Sequence, residues 1–290
     1  MNSNNFFHRV KIGIKNKPFH FLVNIFIAYA AIWTILEPLL SIVQNAGKYF
    51  SGEIKFFAFV LISSLIGTYK TAVPKSINFR YGNTSIEIIF GDLFSFTGFK
   101  VIPVSRYFYE IQVVATSLQN KLIHKFVTSH EGDRGFDVYQ ETLSKALQYE
   151  IYQESYRSVT QQKEKYYPLG TTATLMLNGQ DYMLFALTET ELKGQIPDDN
   201  CNVSKMWIAL EKFWKKARID SRGKSINIPL IGSGVTGIRL NPTQLLELNL
   251  LAIANAIEEE GKITTEEIRI VLHPKYIENI NLNNIQKIWS

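Results

Sequence analysis

Two patterns of apolar and polar positions divide the chain. From Pro18 to Leu36, 19 consecutive residues contain no Asp, Glu, Lys or Arg, and Phe, Leu, Ile, Val and Ala dominate the run. As a helix it is about 28 Å long at ~1.5 Å per residue, close to the hydrocarbon thickness of about 30 Å. Apolar positions resume after Glu37 and Pro38 as Leu39, Leu40, Ile42 and Val43, and Pro38 is expected to kink or end the helix. A second run between Lys55 and Lys70 has 14 uncharged residues. It reaches about 20 residues if Ile54 and Ala72-Val73 join it and the two lysines extend their amines to the headgroups. The intervening segment, Gln44 to Glu53, contains Gly47 and Gly52. This pattern predicts a two-helix transmembrane hairpin over 18–75, with helices at about 18–43 and 54–74. A pair of buried core helices has the same composition.

From about residue 81 the period changes. Ser85–Phe90, Lys100–Val104, Thr172–Leu177, Tyr182–Leu187, Ser225–Ile231 and Ile268–Leu272 are short runs rich in Ile, Val, Leu and Phe, which predicts strands. Between them, Val203, Trp207, Leu210, Phe213 and Trp214 repeat at helical spacing. Asn241-Pro242-Thr243-Gln244 has the order of a helix start, and Gly261 is placed to stop that helix. Strands alternating with helices predict an α/β domain over 81–290 with a sheet covered on both faces. Residues 129–168 fit least: they are polar, and Tyr149, Tyr152 and Tyr156 fall on one face if the segment is helical.

Charge follows the same division. Residues 1–80 hold nine Lys/Arg against Glu37 and Glu53, whereas the remainder holds 22 basic and 24 acidic groups. The basic character therefore belongs to the N-terminal part, and the slightly acidic α/β domain argues against a nucleic-acid partner. Arg9, Lys11, Lys15 and Lys17 precede the first apolar run, while Lys70, Lys75 and Arg80 follow the second. The positive-inside rule then puts residues 1–17, a basic N-terminus, and the C-terminal domain in the cytoplasm. The single cysteine, Cys201, excludes an internal disulfide framework. His8, His20, His124, His130 and His273 are scattered without metal-ligand spacing, so no metal site is expected.

The sharpest local feature is Gly232-Ser233-Gly234-Val235-Thr236-Gly237, directly after the apolar run Ile228–Ile231. Three glycines in such a loop leave successive backbone N–H groups unobstructed, which suits phosphate oxygens. A tight structural turn uses the same residues. A dinucleotide-binding Rossmann unit is excluded, because the motif opens such a domain and here only 53 residues follow it.

A second feature lies upstream: Gly91-Asp92-Leu93 ends one strand, and Lys100-Val101-Ile102-Pro103-Val104-Ser105 forms the next. Together with the late glycine loop, this order resembles the macro domain, over about residues 81–290. The resemblance implies a three-layer α-β-α fold with a mixed sheet. It also implies that Asp92, with neighbouring Leu93, accepts the adenine amino group of ADP-ribose, while Gly232 through Gly237 hold its diphosphate. Hydrolytic macro domains carry Asn-Ala-Ala-Asn after the second strand. This chain has Ser105, Arg106, Tyr107 and Phe108, followed by Ser117, Leu118 and Gln119. The asparagine that orients ribose and water is missing, so binding without catalysis is expected, with Ser105, Arg106, Ser117 and Gln119 lining a remodelled pocket. Alternatively Arg106 is simply solvated and Ser117 caps a helix.

A transmembrane hairpin followed by a divergent macro domain is similar to the membrane effector of type II Thoeris antiphage systems. The resemblance implies a receptor in the bacterial inner membrane for ADP-ribose or an ADP-ribose conjugate, made from NAD by a TIR-domain partner. It further implies a homo-oligomer acting on the lipid bilayer, with no cofactor beyond the ligand. A membrane-tethered ADP-ribosyl hydrolase is the rival expectation.

Overall fold

A computed structural model of the chain describes residues 6–42, 53–108, 117–129, 134–157, 160–193, 196–234 and 238–289. The chain divides into two compact units, Met1–Lys75 and Ser76–Ser290.

In the first unit, α1 (Phe6–Asn16), α2 (Pro18–Ile42) and α3 (Glu53–Thr71) pack together. Gly67 brings α3 close to α2: a Cβ there would lie 2.5 Å from Ile25 Cγ1 and 2.9 Å from the Ile25 nitrogen. Asn24 Nδ2 donates to Thr71 Oγ1 at 3.1 Å across the same pair. Helix α1 was not expected as an element; Arg9 Nε donates to the Val73 carbonyl at 2.6 Å and ties it to the end of α3. Pro38 does not end α2, which continues to Ile42, because one missing N–H costs a 25-residue helix a single bond. Among the described residues one helix, Pro18–Pro38 with 21 residues, is long and apolar enough to cross a membrane. The apolar stretch of α3, Phe56–Thr71, is shorter, since the helix closes at Thr71 and does not take in Ala72-Val73. The joining segment 43–52 lies outside the described residues.

The second unit is built on an eight-stranded mixed sheet. Its strands are β1 (Ser76–Tyr81), β2 (Thr84–Phe90), β3 (Phe99–Ser105), β6 (Thr172–Leu177), β7 (Gln180–Lys193), β8 (Ile196–Asn200), β9 (Ile226–Pro229) and β10 (Glu267–Leu272). They run in the order β1-β2-β10-β9-β3-β7-β6, with β8 on β7. The five strands β2, β10, β9, β3 and β7 are mutually parallel, and β1, β6 and β8 are antiparallel to their neighbours. A separate hairpin joins β4 (Gln153–Arg157) to β5 (Gln162–Tyr166).

Side chains alternate across the parallel strands and need cover on both faces. Ile102, Val104, Leu184 and Ala186 meet Leu122 of α4 (Leu118–Ser129) and Leu143 of α5 (Arg134–Leu147). On the opposite face, Phe185 lies 4.9 Å from Phe213 of α6 (Val203–Asp220), centroid to centroid. Helix α7 (Pro242–Glu260) packs beside α6. Asn241 and Gln244 form the reciprocal cap at its start, and Gly261 closes it with φ of 77°. The short helix α8 (Leu282–Trp289) lays Trp289 against Phe79 and Tyr81 of β1.

Two expectations are corrected. The sheet begins at Ser76, ahead of the expected boundary at 81, because Ile77 and Phe79 alternate inward between Lys75 and Arg80, whose charges disguise a strand as a basic flank. Tyr149, Tyr152 and Tyr156 share no helix: Tyr149 is in a turn and Tyr156 in β4. The preceding helix ends at Leu147, where its apolar face ends.

Candidate functional site

Strands β2, β10, β9, β3 and β7 all point their C-terminal ends at one edge of the sheet, the edge where open α/β sheets gather ligands. Strand β9 pairs with β3 only at Phe99–Ile226 and Lys100–Asn227. The described starts of the segments after β2, β3, β9 and β10 leave the sheet at this edge.

The loop after β2 is fixed by its own residues. Gly91 N donates to the Leu272 carbonyl at 3.0 Å, which carries the strand pairing one residue further. Asp92 is exposed, and its side chain caps a 3-10 turn over Leu93–Ser95 by accepting from Phe94 N at 3.2 Å. Leu93 is buried beneath it and its side chain joins the core. His273 follows β10 and caps the turn Pro274–Tyr276, its Nδ1 accepting from Lys275 N at 3.2 Å. Partial burial and the charges of Lys275 and Lys121 push its imidazolium down, and the Asp92 carboxylate opposes them. Asp92, Lys121 of α4 and His273 therefore share one corner of the edge.

The glycine loop departs from β9. Strand pairing ends at Pro229, two residues short of the predicted Ile231, because Leu230–Ser233 turns: Ser233 N and Oγ both donate to the Leu230 carbonyl, at 3.3 and 2.6 Å. Gly232 has φ of 87°, and a Cβ there would lie 2.8 Å from Leu245 Cδ2 and 3.1 Å from Met206 Sδ. Glycine is thus required by backbone conformation and by space. Around Gly234 nothing lies within 4 Å of a Cβ position, which leaves its backbone open to an incoming group. The structural-turn reading therefore describes Gly232, and the ligand-loop reading suits Gly234. Val235, Thr236 and Gly237 lie outside the described residues, as does His130.

The remaining expected residues divide. Ser105 is buried at the end of β3 beside a register shift, and its Oγ accepts from Tyr107 N at 3.4 Å. Arg106 is neither solvated nor turned to an empty pocket. It donates to Glu189 and, at 3.0 Å, to the Tyr167 carbonyl, and lies 4.5 Å from the centre of the Tyr166 ring. Lys205 completes that cluster at 3.0 Å from Glu189. Its two cations and the hydrogen bonds they donate hold the Glu189 carboxyl below its ordinary range, against the desolvation that raises it. Ser117 caps α4 through Oγ, accepting from Asn120 N at 3.0 Å. Gln119 is buried and donates to the Phe108 carbonyl at 3.2 Å, across a residue with φ of 58°.

Three further residues belong to the site and were not anticipated. Tyr276 Oη donates to the Ser233 carbonyl at 3.1 Å, Asn249 of α7 donates to the Ile231 carbonyl at 3.2 Å, and His273 stands beside Asp92. The usable signal was positional, since His273 directly follows the last parallel strand. Cys201 is buried, and its thiol is pushed up to about 11 by desolvation, so it is inert at neutral pH. Among the described residues no group of three or more His, Cys, Asp and Glu is gathered as a metal site.

With these loops placed, residues 86–273 match the family described as "Thoeris protein ThsA, Macro domain". The chain belongs to the ThsA macro-domain family. The match runs from within β2 to His273, so it takes in every described part of the site named above except Tyr276. Similar solved structures include the Oceanobacillus iheyensis macrodomain with ADP, at 15% identity and a TM-score of 0.46 over 73% of this chain and 96% of that one. Another is the same macrodomain with MES bound, at 15% identity and a TM-score of 0.45 over 73% and 98%. No curated protein matches the chain. This ThsA macro domain has the central mixed sheet and flanking helices that the macro resemblance implied.

Proposed function

We propose that this chain is a membrane-anchored receptor and effector of bacterial antiphage defence, which binds ADP-ribose or an ADP-ribose conjugate and then damages the membrane. The observation that carries the reading is the position of the Asp92 loop and the Gly232–Gly234 loop at the same sheet edge of a ThsA-family macro domain. Asp92 takes the adenine amino group. The open backbone at Gly234 takes the diphosphate, whose charge the N–H dipoles of such a loop favour.

The site is a receptor site and not an enzymatic one. The segment after β3 supplies Ser105 and Arg106, and Arg106 is occupied by Glu189. No asparagine stands there to place a water on the ribose. A TIR-domain enzyme supplies the signal from NAD.

The apolar faces support the membrane part. Phe19, Phe26 and Ile35 of α2 and Phe57, Leu61 and Leu65 of α3 are exposed in a chain without lipid around it, and apolar surface on this scale needs a bilayer or a partner. The two helices form a hairpin in the inner membrane, with both termini cytoplasmic. One pair of helices encloses no pore, so several chains act together. The signal binds the assembled state better than the resting one, since a ligand with equal affinity for both shifts nothing.

Calorimetric titration of the full chain in lipid nanodiscs with ADP-ribose, followed by recovery of the ligand, tests this. Saturable heat with intact ligand is expected. Hydrolysed ligand establishes the tethered hydrolase in its place, and absence of heat for both ADP-ribose and its conjugates overturns the receptor.

A further inference from the structure

We infer that the cavity beside the start of β3, lined by Lys100, Tyr182, Phe94, Phe96, Lys125 and Gln180, is a second ligand site for a small aromatic compound carrying one carboxylate or phosphate group. Lys100 is the second residue of β3, and it pairs in register with Tyr182, the third residue of β7. The cavity therefore reaches the N-terminal ends of these strands, while Phe94 and Phe96, from the loop that starts at Asp92, form its other wall. Its volume is about 450 Å3, within the range of small-molecule sites.

Its chemistry is unusual for a structural void. Lys100 is 1% exposed, and its Nζ donates to Gln180 Oε1 at 2.6 Å and stands 5.6 Å from the Tyr182 ring centre. Among the described residues no carboxylate lies at ion-pair distance from it; neighbouring Asp181 is paired with Lys224 at 2.7 Å. Desolvation, with the nearby Lys125 charge, pushes the Lys100 ammonium down, and Asp181 only partly opposes this. A buried cation left with a neutral amide costs stability, and an apolar residue of equal length would pack there without that cost.

The walls say what completes it. Lys125 Nζ sits 4.4 Å from the centre of the Phe94 ring at the rim, which adds positive charge to that wall. Phe96 is held by the Arg269 guanidinium at 4.7 Å, which fixes its ring. Among the described residues no lining residue is acidic. An anionic group beside the buried Lys100 ammonium, attached to a ring that lies against Phe94 and Phe96, satisfies both features. A nucleic acid or a protein surface does not enter a pocket of this size.

The test uses the full chain in nanodiscs and fluorine NMR of 4-fluorobenzoate and 4-fluorophenyl phosphate, whose signals no protein atom obscures. Saturable binding of one of the two is expected, and which one binds tells carboxylate from phosphate. Lys100→Met should weaken it at least ten-fold while melting no lower than the parent chain. Lys125→Glu, at the exposed rim, should weaken it at least five-fold. Excess ADP-ribose should leave the fluorine signal unchanged, and Gly234→Glu should leave probe affinity unchanged. Undiminished affinity in both lysine variants, displacement by ADP-ribose, or no binding of either probe at millimolar concentration overturns the site. None of these outcomes depends on whether the Asp92 and Gly234 loops bind ADP-ribose.

Discussion

Asn249 Nδ2 donates at once to the Ile231 carbonyl, at 3.2 Å, and to the Leu245 carbonyl one helical turn before it, at 2.6 Å. One buried amide thereby fastens the residue that enters the glycine loop to the middle of α7. Its Oδ1 has no partner among the described residues, so the side chain is kept for what its nitrogen does. Replacing it, Asn249→Leu, leaves the Ile231 carbonyl buried and unpaired, at about 1–3 kcal/mol, partly offset by removal of the orphan oxygen. We expect a modest fall in melting temperature and a larger, several-fold loss of ADP-ribose affinity, because the loop loses its anchor. Melting curves and calorimetry on the same preparation separate the two. Unchanged affinity would remove Asn249 from the site.

The two glycines of the loop should respond in opposite ways. Gly232→Ala forces a methyl to 2.8 Å from Leu245 Cδ2 at φ of 87°, and strain with overpacking should cost about 3 kcal/mol of stability. Gly234→Glu meets nothing within 4 Å and should melt within about 2 °C of the parent. It nevertheless puts a negative charge at the proposed diphosphate position, and ADP-ribose affinity should fall more than ten-fold. A Gly234→Glu chain that binds normally would leave that backbone with no part in recognition.

How much of this was legible in the sequence depends on whether a residue acts through its neighbours in the chain or across space. Asn241, Pro242, Gln244 and Gly261 cap α7 by local chemistry, and the parallel strands announced themselves as continuous apolar runs. Strand β1 escaped because Ile77 and Phe79 stand among the charges that follow the apolar hairpin. The loops bearing Asp92 and Gly232 were readable as motifs at strand ends. Arg106 was not, because Glu189, Tyr166 and Tyr167 reach it from 60 to 83 residues away. Tyr276 and Asn249 enter the site through single hydrogen bonds to backbone carbonyls, a role that carries no sequence signature.

His273 gives the site a pH signature. Its imidazolium is pushed below the ordinary value of 6.5 in the folded chain, so the unfolded state takes up the proton first as pH falls. By linkage, stability is intact above about 6.5 and is lost as pH drops below it, until the folded imidazole also protonates. Protonation of Nδ1 would in addition remove the acceptor for Lys275 N. His273→Asn keeps a capping oxygen without a titrating ring. The parent chain should therefore lose stability between pH 7.5 and 5.5 faster than the variant, in denaturant titrations at the two values. Parallel losses would place the acid sensitivity elsewhere.

Gly67 links the helical unit to the proposed membrane action. Its missing side chain lets α3 approach within 2.9 Å of the Ile25 nitrogen, measured from where a Cβ would stand, and close approach of this kind is how helices associate when lipid offers no hydrophobic drive. Gly67→Leu must push α2 and α3 apart and lengthen the Asn24–Thr71 hydrogen bond that spans them. In the proposed effector the paired helices act on the bilayer and the macro domain alone reads the signal. Dye release from vesicles carrying the Gly67→Leu chain should therefore fall by at least ten-fold in the presence of ligand, while ADP-ribose heats remain those of the parent. Release at the parent rate would mean that the tight crossing at Gly67 is dispensable to membrane damage. Loss of both activities would mean that the helices are needed to keep the receptor folded, and the division of labour between the two units would fail.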